Sequence, residues 1–222
     1  MLEELEEIKR KKGISLVEQI YETLLEKIVS GTLKNETVLS EVAVAKELDV
    51  SRTPVHDALR QLAKDGLVER VAGRRARVAP FTREDVFEIF ELRILLEPEA
   101  AALAAKRMDL PVLTPLQDSL ALLKEELGTP GWKEKWAEHD ADFHETIAKE
   151  SGRKRLAADI NRYRLLHRGL NLLGSSEDMS SAVDDHTKIL DAIANSDPDR
   201  ARDEMRAHLK TWQEYFVRTF PS

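Results

Sequence analysis

Apolar residues recur at helical spacing along most of the chain, with one short interruption after residue 66. Ser15-Leu-Val-Glu18 has the form of a capping box and opens a helix whose apolar positions Val17, Ile20, Leu24 and Ile28 stop at Gly31. Ser40 caps a second helix with Val42, Ala45 and Leu48 on one stripe, and Asp49-Val50-Ser51 breaks it. Ser51 is the next cap. Pro54 sits in the first turn of this third helix, where its missing N–H is not needed, and Val55, Leu59 and Leu62 recur until Gly66 ends the run. Two short amphipathic helices around a tight turn fit a helix-turn-helix. On the turn alone, a plain helical hairpin with a solvated basic face fits equally well. The next segment tilts the balance: residues 67–80 place two short apolar runs around a tip with Gly73 and several arginines, the pattern of a β-hairpin wing.

From Thr82 onward the pattern is helical throughout. Thr82-Arg-Glu-Asp85 is another capping-box form, opening a helix to about Lys106 with a kink expected at Pro98. Further helices are predicted over 114–127, 132–150, 154–173, 177–195 and 198–219, separated by Gly, Ser and Pro punctuation. Six helices with short links make a bundle. The predicted class is mainly α: a terminal extension at 1–14, a winged helix-turn-helix at 15–79, a linker at 80–83 and an all-helical bundle at 84–222.

Length and charge agree with two domains. A chain of 222 residues, 42% of them hydrophobic, can bury one large core or two small ones. Residues 52–77 hold seven cationic and three acidic side chains inside a chain of net charge −7. Residues 1–80 are balanced at fourteen of each sign, so the whole negative excess lies in the bundle. Local charge is what a phosphate backbone meets, which places DNA contact in the first domain. The Lys9-Arg10-Lys11-Lys12 run reads as a solvated charge cluster. No apolar stretch approaches a membrane span and the acidic start is unlike a signal peptide, so a cytoplasmic protein is expected. With no cysteine, any metal must be held by histidine and carboxylate.

Two sets of residues carry candidate chemistry. Arg52, Thr53, His56 and Arg60 face outward near the start of the third helix, behind Ser51, and Arg74 and Arg75 stand at the wing tip; these positions suit base edges and phosphates of double-stranded DNA. In the bundle, Asp140 and His144 share one helix face, and His186 and His208 sit on the two last helices, where all four could converge on a divalent metal. Each histidine taken singly reads as a surface residue or a satisfied core residue. His139 and His167 fit no ligand pattern and are expected at the surface or in packing.

Leu39-Ser-Glu41, Val50-Ser-Arg-Thr-Pro-Val55, Ala58-Leu59-Arg60 and Asp65-Gly-Leu-Val68 resemble the winged helix-turn-helix of GntR-family transcriptional regulators. Phe90-Glu-Leu-Arg93, Leu96-Glu-Pro98, Asp140-Ala-Asp-Phe-His144, His186 and His208 are similar to the FadR-like branch with an FCD effector domain. The resemblance spans residues 15–219. It implies a homodimeric, operator-binding regulator, usually a repressor, whose bundle binds a small carboxylate beside zinc, nickel or manganese. It further implies Arg52 as a base or phosphate contact, Asp140, His144, His186 and His208 as metal ligands, and Arg93 as the guanidinium facing the carboxylate, a task that suits its bidentate fork. The chain departs from the family pattern in three places. His56 stands where Arg is common and cannot make the bidentate guanine contact of Arg. Arg75 stands where Gly is usual, asking a non-Gly residue to take the turn. Asn35 replaces a common Gly, a change that left-handed Asn backbone absorbs. The alternatives are a metal-only sensor, an architectural DNA-binding protein, and a metal-dependent hydrolase with Glu145 or Glu150 as base.

Overall fold

A computed structural model describes residues 14–72, 75–171 and 176–220, with side chains described outside 167–171 and 176–179. The residue 1–13 extension with its basic run, Gly73, Arg74 and the side chain of His167 lie outside the described residues. The chain divides into two compact units, Met1–Thr82 and Arg83–Ser222.

The first unit contains α1 (Leu16–Val29), β1 (Val38–Ser40), α2 (Glu41–Glu47), α3 (Arg52–Lys64), β2 (Val68–Val71) and β3 (Arg75–Val78). The Ser15 hydroxyl caps α1 by accepting the Glu18 N–H at 3.1 Å. Ile20, Leu24 and Ile28 from α1 are buried with Val55, Leu59 and Leu62 from α3, which makes the core of this unit. Burying each such side chain is worth about 1.5–3 kcal/mol relative to exposure. Tyr21 donates its hydroxyl to Asp65 at 2.8 Å, tying α1 to the end of α3. Between α2 and α3 the chain turns through Asp49 at φ 49°, a left-handed conformation that Asp tolerates.

The wing is a three-stranded antiparallel sheet in the order β1-β3-β2, with Ala76 opposite both Leu39 and Arg70. In β3 the buried residues Ala76 and Val78 alternate with Arg75 and Arg77, as a half-buried strand requires. Strand β1 was not anticipated, because three residues are too short to show a period of two. Two expectations about departures are corrected. Arg75 does not take the turn: it lies in β3, paired with Val71 and Ser40. The left-handed residue near Asn35 is Glu36, at φ 66°. The Asn35 side chain supports it by accepting the Glu36 N–H at 2.8 Å, and the Glu36 carboxylate in turn accepts from Arg77 at 3.0 Å.

The second unit is a bundle of α4 (Arg83–Ala104), α5 (Leu110–Glu125), α6 (Trp132–Glu150), α7 (Lys154–Asn171), α8 (Ser176–Ala194) and α9 (Pro198–Thr219). Helix α4 runs unbroken through Pro98 and packs on α9, α7, α6 and α8. Buried Ala100, Ala101, Ala102 and Ala104 give it a narrow profile, and Phe90 stacks on Phe216 of α9 at 5.9 Å between centroids. Helix α5 starts at Leu110 rather than 114: Pro111 lies in its first turn, where no N–H is required, and the helix continues through Pro115. Gly128 and Gly131, at φ 81° and 82°, carry the turn into α6 in a conformation that would strain other residues. Trp132 closes that turn by donating Nε1–H to the Leu123 carbonyl at 2.8 Å.

Candidate functional site

All six helices of the bundle contribute to one buried polar cluster. Asp140 and His144 are one turn apart on the inner face of α6, while α8 and α9 bring in His186 and His208. The three histidines offer ligand atoms within 4.8 Å of one another. Asp140 Oδ1 lies 3.6 Å from His144 Nε2 and 3.9 Å from His186 Nε2. The structure therefore brings together all four residues singled out in the sequence.

The other ring nitrogens are held from behind. His144 Nδ1 meets Glu97 Oε2 of α4 at 2.5 Å, and His208 Nδ1 meets Asp185 Oδ2 at 3.4 Å. His186 Nδ1 meets His139 Nε2 at 3.3 Å, and His139 Nδ1 meets Ser119 Oγ of α5 at 3.1 Å. A carboxylate only accepts, so Glu97 and Asp185 fix the proton of each partner on Nδ1 and leave Nε2 with a lone pair. Among the described residues, His144 Nε2 and His186 Nε2 are buried without a hydrogen-bond partner. Two buried, unpartnered imidazole nitrogens beside a carboxylate, with the His144 proton already fixed on Nδ1, fit a divalent cation. Burial holds His186 well below the ordinary imidazole range, helped by His208 and His144, and lowers His208 as well. Burial also brings His139 down to about 4. Neutral imidazole is the form that binds metal.

The cluster has a cationic side. Arg93 on α4 is 2% exposed, lies over the Phe90 ring and donates Nε–H to Glu97 Oε1 at 2.6 Å. Arg164 on α7 donates to the backbone carbonyl of Asp140 at 2.8 Å and to Asp140 Oδ2 at 2.7 Å. Burial would raise the carboxyls of Glu97 and Asp140, yet both are held well below the usual range: Glu97 by Arg93 and His144, Asp140 by Arg164 and His144. Among the described residues, one terminal nitrogen of each arginine, together with Trp212 Nε1, is buried without a partner. Arg164, Asp185 and Ser119 had no sequence signal, because a lone polar residue on a helix reads as a solvated one, and Glu97 stood in the Leu96-Glu-Pro98 motif without a role assigned to it. His139, expected at the surface or in packing, is buried and hydrogen-bonded to the cluster.

In the first unit, Ser51, Arg52, Thr53 and Arg60 are exposed and His56 is half-buried. Ser51 is the N-cap residue of α3, with extended backbone, as the sequence predicts, though its hydroxyl makes no cap hydrogen bond. Glu41, buried at the start of α2, accepts from His56 Nδ1 at 2.8 Å and stands 3.8 Å from the Arg52 guanidinium. Arg75 is exposed on the wing.

A winged helix-turn-helix followed by a helical bundle with a buried polar interior is an architecture compatible with a transcriptional regulator. Residues 16–78 match the family model of bacterial regulatory proteins, gntR family, and residues 88–211 match that of the FCD domain. The chain belongs to the GntR family of transcriptional regulators and carries an FCD domain, consistent with the FadR-like branch. It is similar to the gluconate operon transcriptional repressor of Bacillus subtilis, 30% identical over 165 residues that cover 74% of this chain and 67% of that one. It is 25% identical over 205 residues to a probable D-xylose utilization operon transcriptional repressor of Paenarthrobacter nicotinovorans, covering 92% and 90%. The solved structure of E. coli McbR/YncC shares the fold, with a TM-score of 0.76, 20% identity and coverage of 94% and 100%. These are names of regulators, not enzymes. Among the described residues no helix is long and apolar enough to cross a membrane.

Proposed function

We propose that this protein is a repressor that releases its operator when a small carboxylate enters the bundle beside a divalent metal. Ser51, Arg52, Thr53, His56 and Arg60 then read or grip the duplex, while Arg74 and Arg75 hold its phosphates. Asp140, His144, His186 and His208 hold the metal, and zinc, nickel or manganese suits three nitrogens and a carboxylate. A bound cation would supply further positive charge beside two guanidinium groups, favouring an anionic ligand. Arg93 and Arg164 receive the carboxylate on their unpaired nitrogens. The protein works as a homodimer, so that two recognition helices meet two half-sites, and the exposed Leu92 and Leu95 on α4 supply apolar contact area.

One observation carries the reading: four buried atoms without partners, on His144, His186, Arg93 and Arg164, belong to a single cluster. Each such atom costs about 1–3 kcal/mol when left unpaired. A cation and a carboxylate are the two ligand types that would satisfy them all.

The test is a thermal-shift panel of sugar acids, hydroxy acids and dicarboxylates, with and without each metal, followed by operator titration. A stabilising acid is expected to weaken operator binding by roughly 5–150-fold at fixed metal concentration. Metal that alters operator affinity with no acid required would instead mark a metal-only sensor. Chelated protein that melts unchanged after incubation with all three ions would remove the metal from the account. Arg52→Ala should cost about 1–3 kcal/mol of specific binding, whereas Arg75→Ala should lower the salt slope by about one.

A further inference from the structure

The buried Glu41 carboxylate bears on how the operator is read. His56 and Arg52 lie one turn apart on α3, and with Thr53 and Glu41 they line an open concavity of about 440 Å³. Glu41 Oε1 is 2.8 Å from His56 Nδ1 while 43% of the histidine side chain remains exposed. An ionised carboxylate has no proton to give, so the hydrogen of this contact sits on Nδ1. In a neutral ring the opposite nitrogen, Nε2, is then an acceptor only.

The donors and acceptors of the major groove make that polarity informative. Guanine presents N7 and O6, both acceptors, which match the donors of an arginine. The donors in the groove are the exocyclic amino groups, N4 of cytosine and N6 of adenine. An acceptor at position 56 is complementary to those groups and repelled by a guanine edge.

We propose that Glu41 and His56 form a composite base reader: the buried carboxylate fixes the Nδ1–H tautomer, and Nε2 selects an amino-bearing base where an arginine would select guanine. Glu41 is thus a positioning residue for recognition, acting through His56 without touching DNA. The neighbouring Arg52 guanidinium stands 3.8 Å from the second carboxylate oxygen and lines the same concavity. The inference rests on the proposed placement of α3 in the major groove.

The experiment is selection of the full-length protein on a randomised duplex pool at pH 8, where unperturbed imidazoles are neutral, beside a side-chain nitrogen NMR spectrum of the free protein. Wild type should enrich cytosine or adenine at one position of each half-site, roughly tenfold over guanine. His56→Arg should move that position to guanine, and His56→Ala should flatten it while the other positions persist. Glu41→Gln, which can offer His56 either an acceptor or a donor, should broaden the same position with helical content unchanged. The spectrum should show His56, identified by its loss in His56→Ala, with its proton on Nδ1. A proton on Nε2, or guanine preferred by wild type, overturns the proposal, and so does a preference unchanged in His56→Ala. If Arg52→Ala also leaves binding and preference intact, the placement of α3 in the groove fails too. If Arg52→Ala weakens binding and His56→Ala changes nothing, only the reader is wrong.

Discussion

Glu97 serves two partners at once: one oxygen takes the Arg93 guanidinium and the other takes His144 Nδ1. The proposed ligand-binding arginine and a proposed metal ligand therefore share one carboxylate. Glu97→Gln should weaken metal binding about 10–100-fold, as loss of an orienting carboxylate does, and this is measured by competition with a chromophoric chelator. An affinity within twofold of wild type would show that Glu97 does not orient His144. The sharing also complicates truncation of Arg93. Arg93→Ala leaves the Glu97 carboxylate buried without its cation, a change that commonly costs about 3–5 kcal/mol, so loss of ligand response in that variant counts only where the bundle is shown to be folded. Half of this residue network was legible from sequence. Asp140 and His144 announce themselves by a spacing of four, and the resemblance names His186, His208 and Arg93. Arg164 and Asp185 stayed hidden, and Glu97 had a motif but no role, because their meaning comes from other helices: only packing shows that a lone Arg on α7 grips the Asp140 carboxylate on α6.

Elements were legible where caps and long stripes coincide. Helices α1, α6 and α9 start and stop close to their expected limits, since each carries many turns of apolar spacing between clear boundary residues. Strand β1 carries three residues, and the start of α5 is obscured by prolines that a first helical turn accepts. The two serines of the helix-turn-helix look equivalent in sequence and differ in structure: both are N-caps, but Ser40 accepts the Ala43 N–H at 3.1 Å, while the Ser51 hydroxyl makes no cap hydrogen bond. Ser40→Ala should therefore lower stability by about 1 kcal/mol, whereas Ser51→Ala should change stability by less than about 0.5 kcal/mol and weaken operator binding instead. Urea melts and mobility-shift titrations of the two variants separate these effects. Equal destabilisation by both would mean that the Ser51 hydroxyl caps α3 in solution.

At the scale of the whole molecule, charge is divided by task, with the negative excess confined to the bundle and a cationic surface left to the wing and recognition helix. The bundle also carries a pH dependence. His139, His186 and His208 have lowered pKa values in the folded state, burial being the main cause in each. Unfolded chain therefore takes up protons that the folded bundle refuses, beginning near pH 6.5 and continuing to about 4 for His139. Stability is present above that window and lost as pH falls through it, by up to about 1.4 kcal/mol per pH unit for each histidine kept neutral. Urea midpoints of chelated protein should fall between pH 7.5 and pH 5. Midpoints that stay level would place these histidines in contact with water.

The unpaired atoms of the bundle also bear on how long each molecule survives. A protein whose interior is incomplete opens more often, and proteases act on the open form in proportion to its population. A ligand at a hundredfold excess over its Kd makes that form about 100-fold rarer. An acid that binds the bundle as proposed would thereby also protect the protein from degradation. Depletion of the same acid would leave a population that binds DNA yet turns over quickly, so the memory of a past metabolite is erased at the rate at which empty bundles are destroyed.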